Sequence, residues 1–228
     1  MLKNRVWLLQ KQIMDKICDV RIVDCLESSY IKPYRMEYKQ NGRQRVWDLC
    51  KVHDSVACIV YNSTRDRLLF VTQFRPGVYM NRCSSVNGVV DTDRYPGSLG
   101  LTLELCAGIT DKDKTVEQTM QEELEEEIGY HVPLDRIQKV TAYRSGVGTQ
   151  GSKQTLFYAV VRDEDRTSSG GGNDSEGEMI QVIEMSPSEA QSVLMDESIM
   201  RPPSLLFAVQ WWLANHASKF AAKEAANK

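Results

Sequence analysis

Three glutamates near the middle of the chain have the spacing of metal ligands. Residues 121–130 are QEELEEEIGY, in which Glu123, Glu126 and Glu127 stand at positions i, i+3 and i+4. In a helix these positions share one face, with neighbouring side chains roughly 5–6 Å apart. Carboxylates so close repel each other unless a cation neutralises them, and oxygen ligands favour Mg²⁺ or Mn²⁺ over zinc. The pattern therefore indicates a divalent-metal site, or else a solvated acidic face on a surface helix.

The segments on either side of the acidic run favour the metal site. Residues 105–108 (LCAG) are a strand that ends at a glycine, and a short polar loop follows. A helix is then predicted from Thr115 to Ile128, where Gly129 is a stop signal. A strand, a loop and a helix in this order have the layout of a phosphate and metal site. An acidic helix that only binds a basic partner would need neither Gly108 nor Gly129.

The composition is that of an ordinary globular protein, with 42% apolar and 26% charged residues and a net charge of −3 over 228 residues. Such a chain has one well-buried core and no basic surface for nucleic acid. No stretch approaches the ~20 apolar residues that span a bilayer, and no signal peptide is evident. The six cysteines show neither a CxxC pair nor a zinc spacing. A cytoplasmic protein with no membrane partner is expected.

Periodicity and turn residues predict a mixed sheet covered by helices. Asn41-Gly42 between two alternating segments predicts a β-hairpin, and residues 4–18 predict a short helix. Residues 81–98 and 167–178 predict loops, and the glycines at 170–172 cannot hold a fixed element. The remaining strands are expected at residues 55–61, 68–73, 101–106, 138–143, 154–161 and 179–185, and the remaining helices at 188–195 and 204–220.

The strand, loop and helix around the glutamates resemble the signature of the Nudix hydrolases. That signature is a glycine, five residues, Glu, seven residues, Arg-Glu, an aliphatic residue, any residue, Glu-Glu, any residue, Gly and an aliphatic residue. With Gly108 as the first glycine, five later positions match in register: Glu123, Leu124, Glu126, Glu127 and Gly129. The resemblance covers most of residues 30–215 and is closest to the branch that cleaves UDP-sugars, which is similar to the ADP-ribose pyrophosphatases. Outside the signature it is carried by residues 39–42, 53–56, 73–76, 104–108, 145–148, 151–155 and 176–178.

Three positions depart from the signature. Lys114 stands in place of its first Glu, Glu122 in place of its Arg, and Tyr130 in place of an aliphatic residue. Because the first two departures reverse both signs, we hypothesise that Lys114 and Glu122 attract each other and steady the loop that enters the helix. The alternative is that both side chains are exposed and independent.

The resemblance implies a metal site and a set of catalytic residues. Glu123, Glu126 and Glu127 would hold Mg²⁺, for which Mn²⁺ may substitute, and the backbone carbonyl of Ala107 would be a further ligand. Bound ions would polarise the diphosphate and lower the pKa of the attacking water. A glutamate, either Glu127 in the signature or one on the 167–178 loop, would take the proton.

On that loop, Glu178 falls at the metal-linked position of the related enzymes, and Glu176 is the second candidate for the catalytic glutamate. Ordinary solvated carboxylates are the alternative for both. The substrate-binding residues implied by the resemblance, or suggested by their place beside the glycine-rich loop at residues 145–152, are Arg75, Arg144, Gly148 and Lys153. A guanidinium suits a diphosphate because it binds two oxygens at once, but a surface salt bridge explains Arg75 equally well.

The resemblance implies an α/β fold, a Nudix α/β/α sandwich with a mixed sheet plus an N-terminal β region. Residues 1–52 would be an N-terminal helix and hairpin used for dimerisation, residues 53–217 the Nudix domain and residues 218–228 a tail. The expected protein is a homodimer that hydrolyses a nucleoside diphosphate sugar, converting UDP-glucose to UMP and glucose 1-phosphate. ADP-ribose hydrolysis and a noncatalytic Nudix-fold binding module are the alternatives.

Overall fold

The computed structural model describes residues 16–111, 113–173 and 177–226, with side chains up to residue 216. In chain order the strands are β1 (Lys32–Gln40), β2 (Arg43–Lys51), β3 (Ser55–Asn62), β4 (Arg67–Phe74), β5 (Ser85–Val86), β6 (Val89–Val90), β7 (Leu101–Glu104), β8 (Cys106–Ile109), β9 (Ile137–Ser145), β10 (Ser152–Val161) and β11 (Ile180–Met185). The helices are α1 (Pro76–Asn81), α2 (Val116–Ile128), α3 (Pro187–Ser192) and α4 (Pro203–Ala226). Short 3-10 turns lie at Gly97–Gly100, Leu134–Arg136 and Asp163–Asp165.

A seven-stranded mixed sheet lies between two helical layers. Its main order is β11-β4-β3-β10-β9, while β7 pairs with β4 and β8 pairs with β3. The β3–β10 pair is parallel, and the other pairs are antiparallel. This arrangement confirms the predicted α/β sandwich with a mixed sheet.

The two faces of strand β3 explain why its central residues, 56–60, are all apolar. Alternate residues of a strand point to opposite faces. Val56, Cys58 and Val60 pack in the cluster that contains Leu124 and Ile128 of α2. The residues between them pack in the cluster that contains the α4 residues Leu205, Ala208, Val209 and Trp212. Since helices cover both faces, the centre of β3 is apolar on both of them.

The predicted N-terminal hairpin is confirmed. Strands β1 and β2 pair antiparallel, with Gln40 opposite Arg43. The two turn residues between them, Asn41 and Gly42, both have positive φ angles, of 52° and 76°. Only a few residue types adopt such angles, and Asn-Gly is the preferred pair for this turn. Residues 4–15 of the helix predicted before the hairpin lie outside the described residues, and residues 16–18 are not helical.

The prediction of one strand over residues 101–106 is wrong, because the chain changes partner at Leu105. Strands β3 and β4 pair directly only over Val60–Asn62 and Arg67–Leu69 and then diverge. Strand β7 extends the sheet from β4, and β8 extends it from β3. A continuous strand could not follow both diverging partners, so it divides in two.

The prediction that residues 81–98 form only a loop is also wrong. They contain the short hairpin β5–β6, whose turn residues Asn87 and Gly88 have φ angles of 52° and 75°. The segment before β1 joins this hairpin, since the Ile22 N–H donates to the Gly88 carbonyl at 2.7 Å and the Val90 N–H to the Val20 carbonyl at 3.1 Å. The region is thus a small sheet attached to the domain.

Helix α4 continues to Ala226, through most of the residues assigned to a C-terminal tail. The proposed division into residues 1–52, 53–217 and 218–228 therefore remains a prediction, with a helix running across its second boundary. No helix in the described ranges combines the length and the apolar character that crossing a membrane requires.

Candidate active site

The strand register brings the predicted site residues to one end of the sheet. Arg75 directly follows β4, and Glu178 lies just before β11, whose Ile180 pairs with Gln73 of β4. Lys153 lies at the start of β10, next to the start of β3. Ala107 lies on β8, which ends where β3 begins. Residues scattered over a hundred positions of sequence are therefore neighbours in the fold.

Helix α2 begins and ends at residues that satisfy its free backbone groups. The Thr115 hydroxyl accepts the Gln118 N–H at 3.2 Å, and the Gln118 side chain accepts the Thr115 N–H at 3.0 Å. This reciprocal pair is a capping box. At the other end, Gly129 has a left-handed φ of 78° and its N–H donates to the Glu125 carbonyl at 3.1 Å. The predicted helix is confirmed, and both ends of the acidic face are held in place.

Glu127 is a carboxyl group buried in the protein, with an exposed fraction of only 2%. Its Oε2 accepts the Ala107 N–H at 2.9 Å, and the Cys106 thiol donates a second hydrogen bond. Burial, together with the charges of Glu123 and Glu178, raises the pKa of Glu127 to about 8, although these two hydrogen bonds lower it. Carboxyl groups perturbed in this way concentrate at functional sites, because burial and like charges both call for a compensating cation.

The backbone next to Glu127 is oriented for a ligand. In an extended strand a residue presents its N–H and C=O to the same side. The Ala107 N–H points to Glu127 and not to its register partner Ala57, so its carbonyl also faces the α2 side. At the next residue, a Cβ on Gly108 would overlap the carboxylate of Glu123. Any side chain at this position would displace the Glu123 carboxylate, because the acidic helix lies directly against the strand.

The donor set matches Mg²⁺ in chemistry, because it consists of carboxylate and carbonyl oxygens. The Glu126 side chain is half-buried and makes no hydrogen bond or ion pair to a described residue. As the side chains stand, no three Asp, Glu, His or Cys groups within the described ranges are arranged to hold a metal ion. Glu127 is turned to the Ala107 N–H, so the glutamates fit an ion only after side-chain rotation.

Residues 170–172 form neither a helix nor a strand, as predicted, but their glycines make definite contacts. The Gly171 N–H donates to the Glu127 carbonyl and the Gly172 N–H to the Glu126 carbonyl, both at 3.0 Å. These carbonyls belong to the last turn of α2, where carbonyl groups have no hydrogen-bond donor within the helix. A Cβ on Gly170 would overlap the Glu127 carbonyl. The loop therefore caps the helix that carries the acidic face.

The same loop holds Glu178 beside the acidic helix. The Glu178 Oε2 accepts the Asn173 N–H at 3.0 Å, and the Glu178 N–H donates to the Asn173 carbonyl at 3.3 Å. Its charge is close enough to raise the pKa values of both Glu127 and Arg75. Glu176, the second predicted catalytic glutamate, lies outside the described residues.

We call the side chains of Glu123, Glu126, Glu127 and Glu178 the acidic group. Arg75 lies at the edge of this group and is paired with Glu104. Its Nε donates to Oε1 at 2.8 Å and its Nη2 to Oε2 at 2.7 Å. The Glu104 hydrogen bond raises the pKa of Arg75 above its ordinary value, and the charges of Glu127 and Glu178 raise it further. The salt bridge expected from the sequence is therefore confirmed, while the binding of substrate by Arg75 stays a prediction.

The other predicted substrate contacts lie around the glycine-rich loop and make structural hydrogen bonds. Arg144 Nη1 donates to the Gly151 carbonyl at 3.2 Å. The Gly148 carbonyl accepts the Trp47 Nε1–H at 2.7 Å, which ties the N-terminal hairpin to this loop. Among the described residues, no hydrogen bond or ion pair links Arg144 or Lys153 to the acidic group.

Two residues at the site were not assigned a function from the sequence. Glu104 forms a salt bridge with Arg75, and the Cys106 thiol donates a hydrogen bond to Glu127. Both belong to residues 104–108, in which the sequence indicated a strand and a family resemblance but no role for either side chain. The alternation in β7 and β8 could have indicated that Glu104 and Cys106 point to one face, but their partners come from distant segments.

The comparison with protein families accounts for this architecture. The NUDIX domain model matches residues 51–206, and the chain therefore belongs to the Nudix family. Uridine diphosphate glucose pyrophosphatase NUDT14 of Bos taurus is similar, with 37% identity over 213 residues that cover 88% of this chain and 96% of the relative. The Mus musculus protein of the same name is 36% identical with the same coverage. A GDP-mannose pyrophosphatase of Salmonella arizonae is 33% identical over 132 residues, which cover 58% of this chain and 59% of the relative.

Proposed function

We propose that this protein hydrolyses the diphosphate bond of nucleoside diphosphate sugars and that UDP-glucose is its main substrate. Water would add its oxygen to one phosphorus, and the bridging P–O bond would break to release UMP and glucose 1-phosphate. The observation that carries the proposal is the buried Glu127 carboxyl on the acidic face of α2, which accepts the Ala107 N–H at 2.9 Å. The similarity to uridine diphosphate glucose pyrophosphatases over 88% of the chain supports the choice of sugar nucleotide.

Glu123, Glu126, Glu127, Glu178 and the carbonyl of Ala107 are the proposed ligands of Mg²⁺ or Mn²⁺. A bound ion supplies charge neutralisation for the diphosphate and acidifies the attacking water. The protein contributes position: Gly108 lets Glu123 approach the strand, and the glycine loop holds the last turn of α2. The carboxylates must lose any bound proton to serve as ligands, so metal affinity should rise with pH toward the pKa of Glu127.

Proton transfer and substrate binding would involve separate residues. Glu178 is the proposed proton acceptor, because it lies on the loop that caps α2 and is electrostatically coupled to Glu127. Glu127 and Glu176 remain the other candidates. Arg75 would bind nonbridging diphosphate oxygens, and Arg144, Gly148 and Lys153 would line the substrate side of the sheet end.

We further propose a homodimer in which the N-terminal hairpin is the contact surface. The register places Met36 opposite Trp47 and Tyr34 opposite Leu49, so these four side chains share one face. Tyr34, Met36 and Trp47 are 44–52% exposed. A two-stranded ribbon has little stability in water unless something packs on it, and a second copy would cover this face. Met36→Glu should yield monomers in light scattering, while Glu37→Gln on the opposite face should leave the dimer intact.

Turnover across a substrate panel tests the proposed function. UDP-glucose, other UDP-sugars, GDP-mannose and ADP-ribose would be incubated with Mg²⁺, and the phosphate released by an added phosphatase would be measured. We expect UDP-glucose to have the highest kcat/KM, and chelation to abolish turnover. A preference for ADP-ribose would reassign the substrate, and no turnover of any compound would favour a noncatalytic binding module.

All six cysteines lie in the described residues and are free, which supports a cytoplasmic site for this reaction.

A further inference from the structure

Glu104 and Arg75 form a two-pronged ion pair beside the acidic group, and Glu104 is the more buried partner. The Glu104 side chain is 13% exposed, while that of Arg75 is 45% exposed. Both carboxylate oxygens are used, each by a different guanidinium nitrogen. Such a fork fixes the plane of the guanidinium as well as its position.

Further hydrogen bonds hold both residues in place. The Thr102 hydroxyl donates to Glu104 Oε1 at 2.5 Å. The Arg75 N–H donates to the Gly100 carbonyl at 2.8 Å, which continues the β4–β7 pairing past the end of β4. Glu104 therefore sits on a rigid strand, and Arg75 is anchored at the backbone and at the side chain. A surface salt bridge with one exposed, mobile carboxylate would have neither feature.

One edge of the Arg75 guanidinium, at Nη1, is not used by Glu104. Nε and Nη2 face Glu104, while Nη1 makes no hydrogen bond to any described residue. The other acidic groups whose charges raise the pKa of Arg75 are Glu127 and Glu178. If Glu104 lost its charge, Arg75 would be drawn toward these two carboxylates, because they would be its strongest remaining partners.

We propose that Glu104 is a positioning residue that holds Arg75 away from the acidic group and presents its Nη1 edge to the diphosphate. This inference rests on the proposed function and adds a specificity element to it. The Glu104 carboxylate bonds Arg75 and Thr102, and it would act on the substrate only through Arg75. Its loss should therefore weaken substrate binding more than it slows the chemical step.

Steady-state kinetics with UDP-glucose at saturating Mg²⁺ tests this positioning. The variants are Glu104→Gln, Arg75→Lys and the double variant, with Glu184→Gln as the control. Glu184 forms a comparable ion pair with Arg65 at 2.7 Å on a different part of the sheet. We expect KM to rise about tenfold in each single site variant, with kcat changed less than about threefold. The double variant should be no worse than Arg75→Lys alone, since Glu104 has nothing left to position.

Several outcomes would overturn the inference. An unchanged KM in Glu104→Gln would do so, and so would additive effects in the double variant or an equal KM rise in Glu184→Gln. Thermal unfolding of each variant checks that it folds. If Glu104→Gln does not fold, Glu104→Asp replaces it, because aspartate keeps the charge but retracts the carboxylate from Arg75. The same rise in KM is then expected. Wild-type turnover separates the two proposals. An inactive wild type refutes the proposed function, whereas an active wild type with an insensitive Glu104 refutes only this inference.

Discussion

Lys114 and Glu122 form an ion pair between the loop that follows β8 and the middle of helix α2. Their side chains are 38% and 37% exposed. The two residues occupy the positions where the Nudix signature has a glutamate and an arginine, so this chain has reversed both signs. The pairing hypothesised from the sequence is confirmed. The loop is joined to the acidic helix by an ion pair in which the order of the charges is opposite to that in the signature.

The ion pair predicts non-additive mutations. Lys114→Glu and Glu122→Arg should each lower activity or stability, because each places like charges side by side, and the double variant should recover most of the loss. A partly exposed pair contributes only ~0.2–1 kcal/mol, which a double-mutant cycle on urea unfolding and on kcat/KM can resolve. Strictly additive effects would dismiss a functional pairing. A Glu122→Arg variant faster than wild type would show instead that the reversal weakens the signature.

Neutralising the metal-site glutamates should remove activity without unfolding the protein. Glu126→Gln and Glu127→Gln preserve size and helix propensity, and each should lower kcat by at least ~10²-fold, or about 2.7 kcal/mol of barrier. Chelation should abolish turnover, and Mg²⁺ or Mn²⁺ should restore it. Glu125→Gln is the matched control, since Glu125 lies on the exposed side of the same helix and bonds His131 at 3.1 Å. Near-normal rates in both site variants would refute the metal assignment.

Glu178→Gln should lower kcat more than it raises KM, because a proton acceptor or metal ligand acts mainly in the transition state. A loss on the order of 10²-fold is expected for a general base. Stopped-assay kinetics at saturating and limiting UDP-glucose would separate the two constants, and Glu197→Gln on an exposed turn is the control. If Glu178→Gln behaves as wild type and Glu176→Gln does not, the proton acceptor is Glu176.

Gly170→Ala should destabilise the site through the helix and not through restricted loop motion. Gly170 has a left-handed φ of 66°, and its added Cβ would overlap the carbonyl of Glu127. The caps at the end of α2 should open, with a cost of ~1 kcal/mol or more from the strained angle and the lost hydrogen bonds. Gly77→Ala is the control, because nothing lies within 4 Å of its added Cβ. Equal melting temperatures and equal kcat in the two variants would argue against the capping function.

The metal-free protein should lose stability as the pH rises from about 4.5 to about 8. In the folded state Glu127 holds its proton up to about pH 8, whereas an unfolded glutamate loses it near 4.5. The folded state therefore binds more protons in this window, so the free energy of unfolding falls through it and levels off above. With EDTA present, the melting temperature of wild type should fall by at least ~4 °C more than that of Glu127→Gln between pH 6 and pH 9. Parallel pH profiles would contradict the burial of an ionisable carboxyl.

The acidic helix could be predicted from the sequence because its determinants are local. The capping residues Thr115 and Gln118 are three positions apart, Gly129 directly follows the helix, and i, i+3, i+4 spacing by itself places Glu123, Glu126 and Glu127 on one face. The same holds for the Asn41-Gly42 hairpin, whose turn geometry depends on two residues. Asn87-Gly88 carried the same signal inside residues assigned to a loop, and the flanking valines were too few to indicate strands.

The tertiary structure alone decided which of these groups act on one another. The divergence of β3 and β4 decides three features of the site. These are the break between β7 and β8 at Leu105, the burial of Glu127 against the Ala107 N–H, and the ion pair of Glu104 with Arg75. The glycines at 170–172 likewise find their partners on a helix more than forty residues earlier. Helix caps and turns are set by neighbours in the chain, whereas strand partners and the burial of a charge are set by segments far apart in it. Sequence spacing thus determined the carboxylate pattern, and only the folded sheet determined its environment.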